Sequence, residues 1–150
     1  MIAVLTRWLK AASLCLALLG IASALDARRA TAVLGAGPAM VVIAPAAPSA
    51  ADRESETYGD YAEYLNGFAA KRPAGLRLVR LDSMKYRQLI RQPTLAESHA
   101  TLFLRRGGRG LVYQGMIVEP QVYDAGARWA LGGAMPAAEI GLVPVRLVRR

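Results

Sequence analysis

Few side chains in this 150-residue chain could do covalent or acid–base chemistry: one cysteine, Cys15, one histidine, His99, and scattered serines. A single cysteine closes no intramolecular disulfide and forms no Cys-x-x-Cys pair, and a single histidine cannot build a multi-histidine metal cage. Thiol-disulfide exchange and a structural zinc are therefore excluded. Ser49 with His99 as base would make a nucleophile pair if the fold brought them together, but activation also needs an orienting acid, and no third partner is identifiable. The plainer roles are a helix N-cap for Ser49 and a solvent-facing or locally hydrogen-bonded side chain for His99. Asp52, Glu54 and Glu56 offer oxygens to a hard cation, yet they lack the glycine and further ligands of a calcium loop and better suit the first turns of a helix. Gly107-Gly108-x-Gly110 has no helix after it and so is no phosphate loop. The expectation is no catalytic residue, no metal and no cofactor.

Charge leads elsewhere. The chain has 19 Lys and Arg against 11 Asp and Glu, a net +8, with 54% hydrophobic and 20% charged residues, which suits one small domain with a modest core. Arg105, Arg106 and Arg109 cluster at an expected turn, with Arg146, Arg149 and Arg150 in the tail. They form a candidate basic surface for an anionic membrane or an acidic partner. The N-terminus reads as an address. Arg7 and Lys10 precede the apolar run from Ala11 to Leu19, and Ala22-Ser23-Ala24 supplies a small-residue ending, the three parts of a secretory signal. The uncharged stretch from Ala11 to Leu25 is shorter than the roughly 20 residues of a membrane-spanning helix. Cleavage after Ala24 is the first reading, and an uncleaved signal anchor flanked by Arg28-Arg29 is the alternative. A lipoprotein is disfavoured because bulky Leu14 directly precedes Cys15. Removing residues 1–24 leaves 17 basic and 11 acidic side chains, a net +6, and no cysteine. The expected location is periplasmic or secreted, or inner-membrane anchored, where nucleic acid is not an expected partner.

The elements that must position these residues follow from periodicity and punctuation. Residues 25–38 form a lead-in. Met40-Val41-Val42-Ile43, bracketed by Pro38 and Pro45, predicts a strand buried on both faces. Ser49 and Asp52 stand at capping-box spacing, and a helix is expected from Asp52 to Lys71 with Tyr58, Tyr61, Leu65 and Phe68 inward and Tyr64 on the surface. Pro73 and Gly75 end it. Leu76 to Leu81 predicts a second strand, and Asp82 or Ser83 caps a short helix whose inward residues would be Tyr86, Leu89 and Ile90 before Pro93. Thr101 to Leu104 and Leu111 to Ile117, around Gly107-Gly108, predict a hairpin. Pro120 opens a helix with Val122, Tyr123, Trp129 and Ala130 inward, ended by Gly132-Gly133. In the extension from residue 134 to 150, Pro144 argues against a central strand, leaving an edge strand or a segment lying along the domain.

Strand, long helix, strand, helix, hairpin and helix is the order of the thioredoxin-like fold, which residues 39–133 resemble. Val41-Val42-Ile43-Ala44-Pro45 looks like the strand entering the active-site loop of that superfamily, and His99-Ala100-Thr101-Leu102-Phe103 resembles its Pro-Thr-Leu strand start. The resemblance implies an α/β three-layer sandwich with a central mixed sheet. Where the superfamily has Cys-x-x-Cys this chain reads Ala46-Ala47-Pro48-Ser49-Ala50, and Ala100 stands where a cis-proline is usual. Because such proteins hold extended polypeptide against that loop, the resemblance makes Ala46, Ala47, Pro48, Ser49, His99 and Ala100 the expected binding loop. The function expected is that of an exported, redox-inactive protein-binding or assembly module of a bacterial cell envelope, whose partner is another envelope protein. A non-redox enzyme using Ser49 and His99, and a basic membrane-surface protein, are the alternatives.

Overall fold

The apolar run of residues 40–43 lies at the centre of the sheet. Strand β1 (Ala39–Ala44) has Met40, Val41, Val42 and Ile43 all essentially inaccessible, as a run without polar alternation requires. The computed structural model describes residues 37–86, 90–92, 95 and 97–147. The signal or anchor segment and most of the lead-in lie outside these described residues, as do Leu89 and the side chain of Tyr86. No described helix is long and apolar enough to cross a membrane.

Six strands form one sheet in the order β2-β1-β4-β5-β6-β3. Strand β2 (Arg77–Asp82) runs parallel to β1, with Val41 opposite Val79. The hairpin of β4 (Ala100–Leu104) and β5 (Arg109–Gln114) is antiparallel and pairs with the other side of β1, Ile43 facing Ala100 and Ala39 facing Leu104. The sheet is mixed, as the thioredoxin-like resemblance implies. Pairing continues through β6 (Val143–Leu147) beside β5 and the three-residue β3 (Ile90–Gln92) beside β6.

Two sequence expectations need correction here. The long helix is two: α1 (Ala50–Glu54) and α2 (Glu56–Lys71), separated at Ser55, whose extended backbone lets its hydroxyl accept from the Tyr58 N–H at 3.4 Å. A serine that caps a new helix ends the old one. After β2, helix α3 (Ser83–Tyr86) is a single turn started by Asp82, which accepts from the Met84 N–H at 2.9 Å. Ile90, expected on the inward face of that helix, instead belongs to β3 and pairs with Leu147. Pro93 leaves little room for helix, and an extended backbone at 90–92 gains ladder partners that a frayed turn lacks.

Pro144 sits within β6 opposite Leu111 of β5. Strand β3 reaches only Leu147 and Arg146, so β6 is an edge at Pro144, and the absent N–H costs no ladder bond on that side. The extension from residue 134 thus contributes a strand to the sheet.

One face of the sheet carries Met40, Val42, Phe103 and Leu111, and against it pack Tyr61 and Leu65 of α2 and Val122, Tyr123 and Trp129 of α4 (Pro120–Ala130). All four residues expected inward on α4 are buried. The opposite face carries Val41, Ile43, Leu102, Leu104, Val112 and Val145, joined by Leu95. The third layer expected after Asp82 falls largely outside the described residues.

Candidate functional site

Antiparallel pairing of Ile43 with Ala100 brings the loop after β1 and the residue before β4 to the same end of the sheet. Ala46 and Ala47 are exposed and Pro48 is half-buried. Ser49 closes the loop with a reciprocal capping box: its Oγ accepts from the Asp52 N–H at 3.0 Å, and its own N–H donates to Asp52 Oδ2 at 3.0 Å. Arg53 adds a 3.2 Å bond to the Pro48 carbonyl. The Asp52 carboxyl is held below its ordinary 3.8 first by the Ser49 side chain, then by the Ser49 backbone N–H, with a smaller contribution of the same sign from His99.

His99 is 4% exposed, so the solvent-facing alternative does not hold and the locally hydrogen-bonded one does. The ring stands edge-on to Tyr61, centroids 5.5 Å apart at 81°, and to Tyr58 at 6.2 Å and 69°. Its Nδ1 bonds Ser98 Oγ at 3.0 Å, and its carbonyl accepts from the Gly115 N–H at 2.7 Å. No hydrogen bond joins it to Ser49. Ser49 and His99 thus share an end of the fold, but each is engaged by a structural partner, and the arrangement lacks an activated nucleophile. Ala100 is no loop residue: it is the first residue of β4, paired with Ile43 and Gln114, and it is buried in the core of the opposite face. Asp52, Glu54 and Glu56 gather no cation site: among the described residues no group of three His, Cys, Asp or Glu could hold a metal.

Sequence reasoning did not anticipate the surroundings of His99. Alternation along β4 puts Thr101 on the face of Phe103, and its Oγ1 is buried without a hydrogen-bond partner. Tyr61 is pushed up to about 12, chiefly by burial, with Arg80 opposing. Tyr123 is also pushed up by burial, and its hydroxyl donates to the Ile117 carbonyl at 3.5 Å. The only advance signal was the helical spacing of Tyr58 and Tyr61.

The candidate arginines lie at the opposite end of the strands, where Leu104 faces Ala39. Gly107 and Gly108 take positive φ of 93° and 79°, which explains two successive glycines in this turn. Arg106 and Arg109 are exposed. Arg105 is not a free cation. It stacks 4.5 Å over the Trp129 ring, donates from Nε to the Trp129 carbonyl at 2.5 Å, and donates from a terminal nitrogen to the Gly133 carbonyl, so it fastens the hairpin to the C-terminus of α4.

No protein-family model matches the chain, and no curated protein does. Among solved structures, the chain is similar to the thioredoxin-like domain of Arabidopsis NCP (nuclear control of PEP activity) at 18% identity, covering 76% of this chain and 81% of that chain with a TM-score of 0.48.

Proposed function

We propose that this chain is an exported, redox-inactive thioredoxin-like protein that acts as a binding or assembly module in a bacterial cell envelope, holding an extended segment of another envelope protein against Ala46, Ala47 and Pro48. The observation that carries this reading is the Ser49–Asp52 capping box with its neighbour His99. At the end of the sheet where a reactive pair would be expected, the polar groups are committed to holding the fold, while Ala46 and Ala47 remain exposed. Such a site has shape to offer and no nucleophile. Export rests on the charged start, apolar run and small-residue ending of residues 1–24.

The test separates docking from chemistry. The full chain expressed in its native host should co-purify a defined envelope protein. Ala47→Glu, a change at an exposed position, should abolish that capture, whereas His99→Phe, which keeps a ring between the tyrosines, should leave it intact. A fluorophosphonate probe should not label Ser49. Labelling lost in His99→Phe would replace this reading with an enzyme, and capture unaffected by Ala47→Glu would remove the loop from it.

A further inference from the structure

At the hairpin end, the register between β5 and β6 sets Arg109 directly opposite Arg146, and one pair further along, Leu111 opposite Pro144. Alternation puts all four on the face packed by α4. Like charges directly opposite in an antiparallel pair are unfavourable, and no carboxylate among the described residues forms an ion pair with Arg105, Arg109 or Arg146. The two rows lie in a cavity of about 780 Å³, walled by Trp129 with Arg105 over it and rimmed by Met135. That volume is within the range of sites that enclose a ligand. Leu111 and Trp129 are buried in the floor and wall, whereas Pro144 and Met135, the latter 59% exposed, present apolar surface beside the arginines.

We infer that this groove docks an acidic polypeptide segment, with carboxylates between Arg109 and Arg146 and an apolar side chain against Pro144 and Met135. Charge complementarity selects the occupant: an anion placed between two opposed guanidiniums removes their repulsion and accepts paired hydrogen bonds from each. Met135 supplies an adaptable apolar contact. The concavity favours a chain over a bilayer, since a flat anionic surface meets protruding cations and cannot fill a recessed groove. Stacked bases are also a poor fit, because Arg105 already covers the Trp129 ring. The groove is at the other end of the sheet from the Ala46–Ser49 loop and does not rest on the reading given for that loop.

Selection of a random nine-residue peptide library on the full chain tests the inference, followed by titration of the recovered peptides. Recovered sequences should place Asp or Glu on both sides of a large apolar residue. Their affinity should fall with added salt and should drop at least tenfold in Arg109→Glu and in Arg146→Glu. Each single reversal creates an opposite-charge cross-strand pair, so each variant should melt no lower than the parent, which separates lost binding from lost folding. Met135→Ala should weaken binding several-fold. Recovered peptides without acidic enrichment, or acidic peptides that bind both reversal variants normally, would overturn the inference. Arginine-dependent binding to vesicles of phosphatidylglycerol and phosphatidylcholine, with no acidic peptides recovered, would replace it with a membrane-surface role.

Discussion

Helix α4 lies close over the Phe103 ring of β4 at Gly126. A Cβ added there would lie 2.4 Å from Cδ2 and Cε2 of Phe103 and 2.6 Å from its Cγ, where ordinary contact begins at 3.4 Å. Relief therefore requires α4 to rise, or the ring to move, by about 1 Å in a close-packed interior. Phe103 is fully buried and has nowhere to turn. Overpacking of this kind costs roughly 1–3 kcal/mol, and the backing of the ring places it near the upper end. The intrinsic helix gain of alanine over glycine, about 1 kcal/mol, offsets part of that. Gly126→Ala should thus destabilise the domain by about 2 kcal/mol, or roughly 5–10 °C in melting temperature for a domain of this size. The matched control is Gly67→Ala within α2, where an added Cβ meets nothing within 4 Å; it should stabilise by about 0.5–1 kcal/mol. Thermal and urea unfolding followed by circular dichroism would give both signs. Equal stability of Gly126→Ala and the parent would refute the α4–β4 packing described here, and with it the position of Trp129 one turn further along the helix.

Three other predictions follow from the surroundings of His99. Thr101→Val keeps the shape and removes a buried hydroxyl that has no partner, so it should stabilise by about 1 kcal/mol in urea unfolding. The Asp52 carboxyl titrates below 3.8 in the folded chain; its contribution is present above that value and lost as pH falls through the depressed one. Asp52→Asn should therefore flatten the acid limb of the stability profile below about pH 4. Tyr61, pushed from 10 to about 12, has the opposite dependence: stability holds below pH 10 and declines as the unfolded chain ionises first. Tyr61→Phe should lessen that alkaline loss.

The parts of the fold legible in the sequence are those with a local cause. Pro38 and Pro45 around an unbroken apolar run mark β1, Gly107-Gly108 marks the hairpin, and Pro120 with Gly132-Gly133 brackets α4. The break at Ser55 was masked by the helical spacing of the tyrosines that continues past it, although Ser55 stands three residues before Tyr58 as Ser49 stands before Asp52. Strand β3 is too short to show a period, and only pairing with β6 makes it a strand. The same division runs through the two surfaces. That the Ala46–Ser49 loop and His99 share one end was expected only from the resemblance, and the antiparallel register of β1 and β4 produces it. The edge-on tyrosines depend on side-chain packing, and the Arg109–Arg146 opposition depends on a register between β5 and β6 that no local pattern encodes.

The central claim is that the Ala46–Ser49 loop works by holding a polypeptide without chemistry. Photo-crosslinking in the native host tests it most directly, with Ala47→p-benzoylphenylalanine as probe and the same substitution at exposed Gln121 as control. The account predicts one discrete protein adduct from Ala47, none from Gln121, and no covalent labelling of Ser49 by a fluorophosphonate. No adduct from Ala47, or the same adduct from both positions, would contradict it.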